Sequence, residues 1–429
     1  MQDAASHIVK SLYRMAIQIP RSTPPQVNSR GGFIKQSKSA ISNSIGRRFF
    51  KHRYFLQNKS PRQQLLREGI FSVYYYTPLE QSRVQIGDET VEVNPSRYPI
   101  PLVFVPPLGV YGWVFDLMAE RSLVRYFLAH GFSVYIIDWG HPTVSESYLS
   151  LETYTLNWFP KAIEAIKAHS GQEQLSLVGY CMGGLLSLIY TASENNYNVK
   201  NLVTIASPIN MHQMNSAIGK LYQSMSIPAQ LISHITGLRL NDFNSKLFHM
   251  SGKLLSIGFQ LTQPTAMISS YIDLIKNMDD VSYVSRHTTI NEWFTQMPDY
   301  PGATMREMID KFGLANRLNK GHFYIGGRYI DLKKIVSPLL ALAGESDAIT
   351  SIGAASAITS VVGSMDKTFE IVPGGHAGLF TGSQAVKTTW VVMLDWLKLR
   401  SGALVDHCSI ATSSKPLIGE LTLLRADDE

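Results

Sequence analysis

Short apolar runs alternate with longer amphipathic segments along most of the chain, starting near residue 70. The runs FSVYYYTP, YPIPLVFVPPL, FSVYIIDWG, QLSLVGYC and VKNLVTIASP have the length and composition of β-strands. Segments with helical periodicity separate several of them, namely SLVRYFLAHG, FPKAIEAIKAHSG and MGGLLSLIYTASEN. Apolar strands separated by helices are typical of a mostly parallel sheet with helices on both faces. The pattern therefore predicts an α/β fold.

The alternation stops near Pro208 and resumes after residue 334. Residues 209–334 are mostly helical in pattern, which predicts an inserted cap. This segment ends in GHFYIGGRYIDL, where Gly326 and Gly327 lie between two alternating stretches as in a β-hairpin. An earlier stretch, VQIGDETVEV, also has the pattern of two strands around a turn. After the cap, SPLLALAGESD and KTFEIVPGGH continue the strands, SIGAASAITSVVG is a predicted helix between them, and AVKTTWVVMLDWLKLR closes the core as a helix.

The positive charge of the chain is concentrated before the first predicted strand. The whole sequence has a net charge of +6, but residues 1–63 contain 12 Lys and Arg against a single acidic residue. Apolar residues between positions 8 and 19 recur at helical spacing beside Lys10 and Arg14, as in a basic amphipathic helix that lies on an anionic or apolar surface. A solvated tail and an organelle transit peptide are alternatives with similar composition. The predicted organisation is a basic arm at residues 1–63, a core at 64–208 and 335–400, a cap at 209–334 and a tail at 401–429.

Several classes of protein lack support in this sequence. No apolar run approaches the roughly 20 residues of a membrane-spanning helix, and the first residues lack the continuous apolar core of a secretory signal. The two cysteines, Cys181 and Cys408, do not form the pattern of a disulfide scaffold, so we expect a cytoplasmic protein. The glycine-rich segments lack phosphate-binding and dinucleotide-binding motifs, and no cluster has zinc-ligand spacing. We therefore expect no cofactor, metal or nucleic acid.

The sequence GYCMG fits the pattern Gly-x-nucleophile-x-Gly, with Cys181 at the centre. In that pattern a strand turns sharply into a helix, and the glycines leave room for a strained residue whose side chain projects over the end of the sheet. An apolar strand precedes Cys181 and a helix follows it, which is the context that the motif requires. A helix N-terminus also stabilises a thiolate. Cys181 is therefore the candidate nucleophile, and the alternative is a small buried cysteine between packed glycines.

A nucleophile of this kind needs a histidine, which follows it along the chain in this type of fold. His376 lies directly after the last predicted strand, at the edge of the sheet where ligands collect. His130, His141 and His169 all precede Cys181 and are better explained as surface or packing residues. His376 is therefore the candidate base.

The acid is expected at the carboxyl end of a strand between the nucleophile and the histidine. Asp347 follows the strand PLLALAGES and meets this condition, whereas Asp366 precedes the strand KTFEIV and falls at the opposite edge. Asp138 also ends a strand but lies before Cys181. We expect Asp138 to hold a loop together, and it remains the alternative acid.

An oxyanion that forms during acyl transfer needs hydrogen-bond donors, and backbone N–H groups commonly supply them. The residue after the nucleophile and the loop after the first core strand are the expected donors. In this chain they are the backbone amides of Met182 and of the loop near Leu108.

Four segments together resemble the polyhydroxyalkanoate synthases: VPPLGVYGWVFDLMAERSLVRYFLAHGFSVYIIDWGHP, GYCMGG, GHFYIGGRYIDLKKIVSPLLALAGESD and VPGGHAG. The resemblance covers roughly residues 65–400 and is greatest to the short catalytic subunits that work with a separate accessory subunit. It implies an α/β-hydrolase fold with a cap, in which Cys181, Asp347 and His376 are the catalytic residues.

The resemblance also implies the substrates, which are (R)-3-hydroxyacyl-CoA thioesters and a growing polyester chain. His376 would deprotonate Cys181, the thiolate would attack the acyl-CoA carbonyl, and CoA would leave. Asp347 would either orient His376 or help to activate the 3-hydroxyl of the acyl group, and the resemblance favours the second role. A cysteine suits this chemistry because exchange between two thioesters is nearly isoenergetic. The family further implies a homodimer, an accessory synthase subunit and attachment to cytoplasmic polyhydroxyalkanoate granules.

Three features depart from the family pattern. The sequence SDAITS stands at Asp347, where the family often places a histidine and an apolar-proline pair after the acid. The basic arm is longer than expected for a short subunit, and the tail is additional. Two other functions fit the same motifs, a cysteine hydrolase or thioesterase on this fold and a non-catalytic granule-associated protein.

Overall fold

The computed structural model describes Asn43 and residues 53–56, 60–193, 198–215, 217–237, 239–262 and 264–405. The amphipathic helix predicted between positions 8 and 19 lies outside these residues, as does the predicted tail beyond residue 405.

An eight-stranded sheet forms the centre of the molecule. In chain order its strands are β1 (Arg62–Glu68), β2 (Phe71–Tyr76), β3 (Leu102–Val105), β4 (Val134–Asp138), β5 (Leu175–Tyr180), β6 (Val199–Ile205), β7 (Leu339–Gly344) and β8 (Lys367–Val372). Their order across the sheet is β1-β2-β4-β3-β5-β6-β7-β8. β2 pairs antiparallel with β1 and β4, and the other neighbouring strands pair in parallel. The predicted mostly parallel sheet is confirmed.

Helices surround this sheet and fill the segment between β6 and β7. They are α1 (Leu123–Ala129), α2 (Phe159–Ser170), α3 (Met182–Ser193), α4 (Ala217–Thr236), α5 (Gly252–Leu261), α6 (Pro264–Lys276), α7 (Val281–Thr295), α8 (Gly302–Glu307), α9 (Arg317–Lys320), α10 (Ile352–Ser356), α11 (Ile358–Val361), α12 (Gly378–Thr381) and α13 (Thr389–Lys398). The single helix predicted from SIGAASAITSVVG was wrong, because the structure divides it into α10 and α11 at Ala357. Its Gly, Ser, Thr and β-branched residues have low helix propensity.

Apolar side chains on both faces of the sheet explain why helices cover both. Along β3, Val103 and Val105 belong to one buried cluster together with apolar residues of α2 and α3. Leu102 and Phe104 belong to a second cluster together with residues of α1 and α13. Successive side chains of a strand point to opposite faces, so one strand contributes to both clusters. The hydrophobic core therefore consists of two layers, one on each side of the sheet.

The segment between β6 and β7 contains α4 to α9 and one hairpin. The strands of the hairpin, His322–Ile325 and Arg328–Asp331, pair antiparallel around Gly326 and Gly327, as predicted. Ile325 and Ile330 of this hairpin are fully buried in the same cluster as α2 and α3, so the hairpin packs on the core. The second predicted hairpin is also present and pairs Arg83–Ile86 with Glu89–Glu92.

The chain before β1 contacts both the cap and the core. The Leu56 N–H donates to Thr289 Oγ1 of α7 at 2.8 Å. The N–H and the hydroxyl of Ser60 each donate to the buried Asp116 carboxylate at 3.0 Å. β1 begins at Arg62. The predicted boundary between the arm and the core, after residue 63, therefore falls inside this strand. Within the described ranges, no helix has the combination of length and apolar character needed to cross a membrane.

Candidate active site

Cys181 occupies the turn between β5, which ends at Tyr180, and α3, which begins at Met182. Its φ is 50°, a left-handed conformation that is uncommon for a residue with a side chain. Two hydrogen bonds hold the turn: the Cys181 N–H donates to Ile205 O at 2.7 Å, and the Ser207 hydroxyl donates to Cys181 O at 2.8 Å. The strain and its support are those of a nucleophile turn.

The glycines around Cys181 allow the chain to approach itself closely. A Cβ at Gly179 would lie 2.5 Å from Gly184 N, a Cβ at Gly183 would overlap Val105 O, and a Cβ at Gly184 would overlap the Ser207 hydroxyl. These contacts bring the start of α3 against the ends of β3 and β6. The motif glycines are therefore required by packing.

His376 and Asp347 form a buried pair beside this turn. His376 Nδ1 lies 2.8 Å from Asp347 Oδ2, and their side chains are 4% and 0% exposed. The other ring nitrogen of His376, Nε2, is the one left for its hydrogen bond with the Cys181 side chain. The Tyr180 hydroxyl also donates to His376 O at 3.2 Å. The structure thus brings Cys181, Asp347 and His376 together, each after the carboxyl end of its strand.

Opposing effects determine the charge of His376. Burial lowers the pKa of its imidazole, but the charge of Cys181, the hydrogen bonds to Asp347 and Cys181, and the charge of Asp347 raise it more. The result is a pKa well above the ordinary value of a histidine. The protonated imidazolium form of His376 is therefore favoured between these two groups.

Asp347 is held by backbone donors in the loop that departs from the family pattern. Its Oδ1 accepts the N–H groups of Ile349 at 2.8 Å and Thr350 at 2.9 Å. Asn215 Nδ2 donates to Asp347 O at 2.8 Å. Backbone amides do not depend on side-chain identity, so SDAITS can hold the carboxylate without the family residues.

The two candidate oxyanion donors lie in adjacent loops. Leu108 is buried in the loop after β3, and Met182 is the first residue of α3 after β5. β3 and β5 are neighbours in the sheet, so both loops reach the same edge. The N–H of Met182 is in the first turn of a helix, where backbone donors have no acceptor within the helix.

The other carboxylates considered from the sequence have structural contacts elsewhere. Asp138 Oδ1 accepts the N–H of Gly140 at 3.0 Å, which agrees with the predicted role in a loop. Asp366 contacts the Arg400 guanidinium with distances of 3.0 and 3.1 Å. Neither carboxylate contacts His376.

The three earlier histidines also have partners away from the turn. His130 Nδ1 lies 2.8 Å from Tyr126 O, and His169 Nδ1 lies 3.0 Å from the Tyr135 hydroxyl. The ring of His141 packs against Tyr111. These contacts agree with the predicted packing and surface roles.

A cavity of about 410 Å³ lies on the cap side of His376. Aromatic and basic side chains of the core and cap line it, among them Arg121, Phe259, Arg286 and Phe294. Of the three candidate catalytic residues, His376 is among the described residues that line the cavity, whereas Cys181 and Asp347 are not. The cavity therefore offers an apolar and cationic space next to the base.

Sequence patterns did not indicate the contact of Tyr300 with the site. Its hydroxyl lies 3.3 Å from Met182 Sδ, although Tyr300 is separated from Met182 by more than a hundred residues. Tyr300 lies between α7 and α8, where no motif marks it. Its position directly before Pro301 and Gly302, where α8 begins, is the local feature that could have indicated it.

The fold and the site together define the class of this protein. Residues 101–383 match the family model described as alpha/beta hydrolase fold, and the chain belongs to that family. Among solved structures, a soluble variant of monoglyceride lipase from Saccharomyces cerevisiae in complex with a substrate analog aligns with a TM-score of 0.47 and 15% identity, covering 81% of this chain and 98% of that chain.

Two relatives are named "Poly(3-hydroxyalkanoate) polymerase subunit PhaC". The protein from Synechocystis sp. is 28% identical over 80% of this chain and 85% of its own length. The protein from Haloferax mediterranei is 26% identical over 73% of this chain, and the match spans 61% of its own length. The predicted resemblance to polyhydroxyalkanoate synthases is confirmed, and the predicted enzyme class, an acyltransferase, agrees with these relatives.

Proposed function

We propose that this protein is the catalytic subunit of a polyhydroxyalkanoate synthase, which polymerises (R)-3-hydroxyacyl-CoA and releases CoA. One observation carries the proposal. A buried Asp347–His376 pair with a separation of 2.8 Å faces a cysteine at a strand-helix turn, in a chain whose curated relatives are named as polymerases of this polyester.

In the first step the acyl group moves from CoA to Cys181. His376 Nε2 holds the proton of the Cys181 thiol, and the sulfur attacks the thioester carbonyl. A new carbon–sulfur bond to Cys181 forms, and the bond to the CoA sulfur breaks. The imidazolium then protonates the departing CoA thiolate. The raised pKa of His376 supports this order, because the ring holds the proton while the sulfur is anionic.

In the second step the chain grows by one ester bond. The 3-hydroxyl oxygen of another acyl group attacks the thioester on Cys181, and its proton passes to His376. The ester bond forms as the bond to the Cys181 sulfur breaks, which leaves the thiol free to take the lengthened chain again. A thioester is an exchangeable resting state for this cycle, whereas a serine ester would be a deeper one.

Of the two roles considered for Asp347, the hydrogen bonds support orientation of His376. One carboxylate oxygen contacts the ring and the other accepts two backbone N–H groups. With its side chain 0% exposed, Asp347 has no open side toward a substrate hydroxyl. We therefore propose His376 as the base in both steps, with no cofactor or metal.

The partners remain part of the proposal. The resemblance favours a homodimer, an accessory subunit and attachment to polyester granules in the cytoplasm. The cap supports a hydrophobic partner, because α4 to α6 expose large apolar side chains that include Ile227, Leu231 and Ile275, at 78%, 56% and 70%. Exposed apolar surface of this extent commonly marks a binding surface.

The test is release of CoA from (R)-3-hydroxybutyryl-CoA by the purified protein, with polymer measured in the same reaction. We expect both products, and we expect Cys181→Ala to lower CoA release by at least about 10⁴-fold. Asp366→Asn is the matched control, since this carboxylate contacts Arg400 and not His376. CoA and free 3-hydroxybutyrate without polymer would favour a thioesterase. No CoA release, either alone or with an added accessory subunit, would contradict the proposal.

A further inference from the structure

Tyr300 brings a side chain of the cap into the region of the catalytic turn. It lies between α7 and α8, but its hydroxyl donates to Met182 Sδ at 3.3 Å, and a Cβ on Gly109 would lie 3.4 Å from the hydroxyl oxygen. Met182 follows Cys181, and Gly109 follows Leu108. The hydroxyl therefore lies between the two loops whose amides are the candidate oxyanion donors.

The surrounding structure fixes the position of this ring. Met250 and Tyr300 exchange two backbone hydrogen bonds of 3.1 and 2.8 Å. Next to them, His249 Nε2 lies 2.9 Å from Asp299 Oδ2, and this contact joins the segment before α5 to the segment after α7. Gly109 leaves room for the ring, because a Cβ there would lie 2.7 Å from Tyr300 Cε2. The hydroxyl is thus placed in advance of any substrate.

The present contacts of the hydroxyl leave its proton available. The hydroxyl donates to a thioether sulfur, Met182 Sδ. A thioether is a weak acceptor, so a carbonyl oxygen or an oxyanion can replace it at little cost.

The electrostatic surroundings keep the proton on this group. Burial and the nearby charge of Cys181 raise the pKa of Tyr300, and the Gly109 N–H opposes them with a smaller effect. The phenol therefore stays neutral at physiological pH and acts as a donor.

We propose that the Tyr300 hydroxyl is a third hydrogen-bond donor to the oxyanion that forms on the acyl thioester, beside the backbone amides of Met182 and Leu108. The inference rests on the proposed function, since it assigns a role in the same acyl transfer. As the Cys181 sulfur attacks, an electron pair of the carbonyl moves onto its oxygen, and the Tyr300 O–H turns from Met182 Sδ to that oxygen. The pair returns when the CoA thiolate leaves, so the hydroxyl keeps its proton throughout.

The test compares two reactions of Cys181 in Tyr300→Phe. In a single turnover with (R)-3-hydroxybutyryl-CoA, we expect CoA release to slow by about 10²-fold, the usual cost of losing one oxyanion donor. Alkylation of Cys181 by iodoacetamide forms no oxyanion, so its rate should equal that of the wild type. Tyr135→Phe is the matched control, because it removes another buried hydroxyl, the one that contacts His169 at 3.0 Å, and should leave both rates unchanged.

Each other outcome overturns the inference. Equal CoA release in Tyr300→Phe and wild type would exclude a role for the hydroxyl, and faster release would mean that it blocks the oxyanion site. If the rates of CoA release and of alkylation fell by the same factor, Tyr300 would act by packing around the thiol and not as a hydrogen-bond donor. If the wild type released no CoA while Cys181 was still alkylated, the proposed function would fail first.

Discussion

The imidazole of His376 is buried between a thiol and a carboxylate, and its protonation depends on both. Burial alone would lower its pKa, whereas Cys181 and Asp347 raise it. Because the pKa is raised, the ring stays protonated as the pH increases past the ordinary histidine value of about 6.5. Removing either neighbour takes away a raising effect, so the ring must lose its proton at a lower pH.

Titration of His376 checks this dependence directly. We expect the pKa of its ring to fall by about one pH unit or more in Cys181→Ala and in Asp347→Asn, because each change removes a charge that raises this pKa. Nuclear magnetic resonance of protein with ¹³C-labelled histidine rings measures it, with His376→Gln for assignment. His130, whose pKa is lowered by burial, is an internal control and should titrate alike in all variants. An unchanged His376 titration in both variants would contradict the account.

Single residues differ in how far the sequence could identify them. Cys181, Asp347 and His376 each follow a predicted strand, and residues at the ends of neighbouring parallel strands meet at one edge of a sheet. Tyr300 could not be found in this way, because its approach to Met182 depends on how the cap docks on the core. No local pattern encodes that docking.

Among the elements, the turn from β5 to α3 is tightly constrained. Gly184 packs against the Ser207 hydroxyl, and that hydroxyl donates to Cys181 O at 2.8 Å. The same small volume therefore contains the helix start, the strained residue and the hydrogen bond that supports it.

Two substitutions in this turn should not be additive. Gly184→Ala adds a methyl group that overlaps the Ser207 hydroxyl, so we expect it to lower the free energy of unfolding by about 1–3 kcal/mol. Ser207→Ala removes a hydrogen bond worth about 1 kcal/mol. In the double variant the hydroxyl is absent and most of the overlap disappears, so the loss should be smaller than the sum. Urea unfolding of the four proteins measures this, and strict additivity would argue against the contact.

Elements with strong periodicity were predicted correctly, and the exceptions have physical reasons. β3 and β5 are buried throughout because helices cover both faces of the sheet. β1 was not predicted, since its sequence RQQLLRE is mostly exposed at the sheet edge. An edge strand with little buried surface has no apolar alternation to indicate it. The hairpin at Gly326–Gly327 was predicted, but its packing on the core was not.

At the scale of the whole molecule, helix α4 leaves an apolar face without a partner in the described structure. Leu221, Ile227, Leu231 and Ile235 are between 54% and 78% exposed, and the last three are spaced four residues apart, which places them on one side of a helix. While this surface is exposed to water, its apolar side chains contribute no free energy of burial to the folded chain. We therefore propose that this face binds the surface of the polyester that the proposed reaction produces.

Replacing this face should separate attachment from catalysis. In the triple variant Ile227→Ser, Leu231→Ser and Ile235→Ser we expect a fall of at least about tenfold in the protein that sediments with poly(3-hydroxybutyrate) granules. This follows because each large apolar side chain contributes about 1.5–3 kcal/mol when it is fully buried. The early rate of CoA release from soluble substrate should stay at the wild-type value, since α4 contributes no residue to the cavity beside His376.

The matched control is Val336→Ser with Met365→Ser and Leu399→Ser, three exposed apolar residues outside the cap, at 65%, 96% and 82%. If the wild type, the α4 variant and the control variant sedimented equally with the granules, the proposed role of this face would be contradicted. A change from dimer to monomer in the α4 variant, with sedimentation intact, would instead make this face the contact between two copies of the chain.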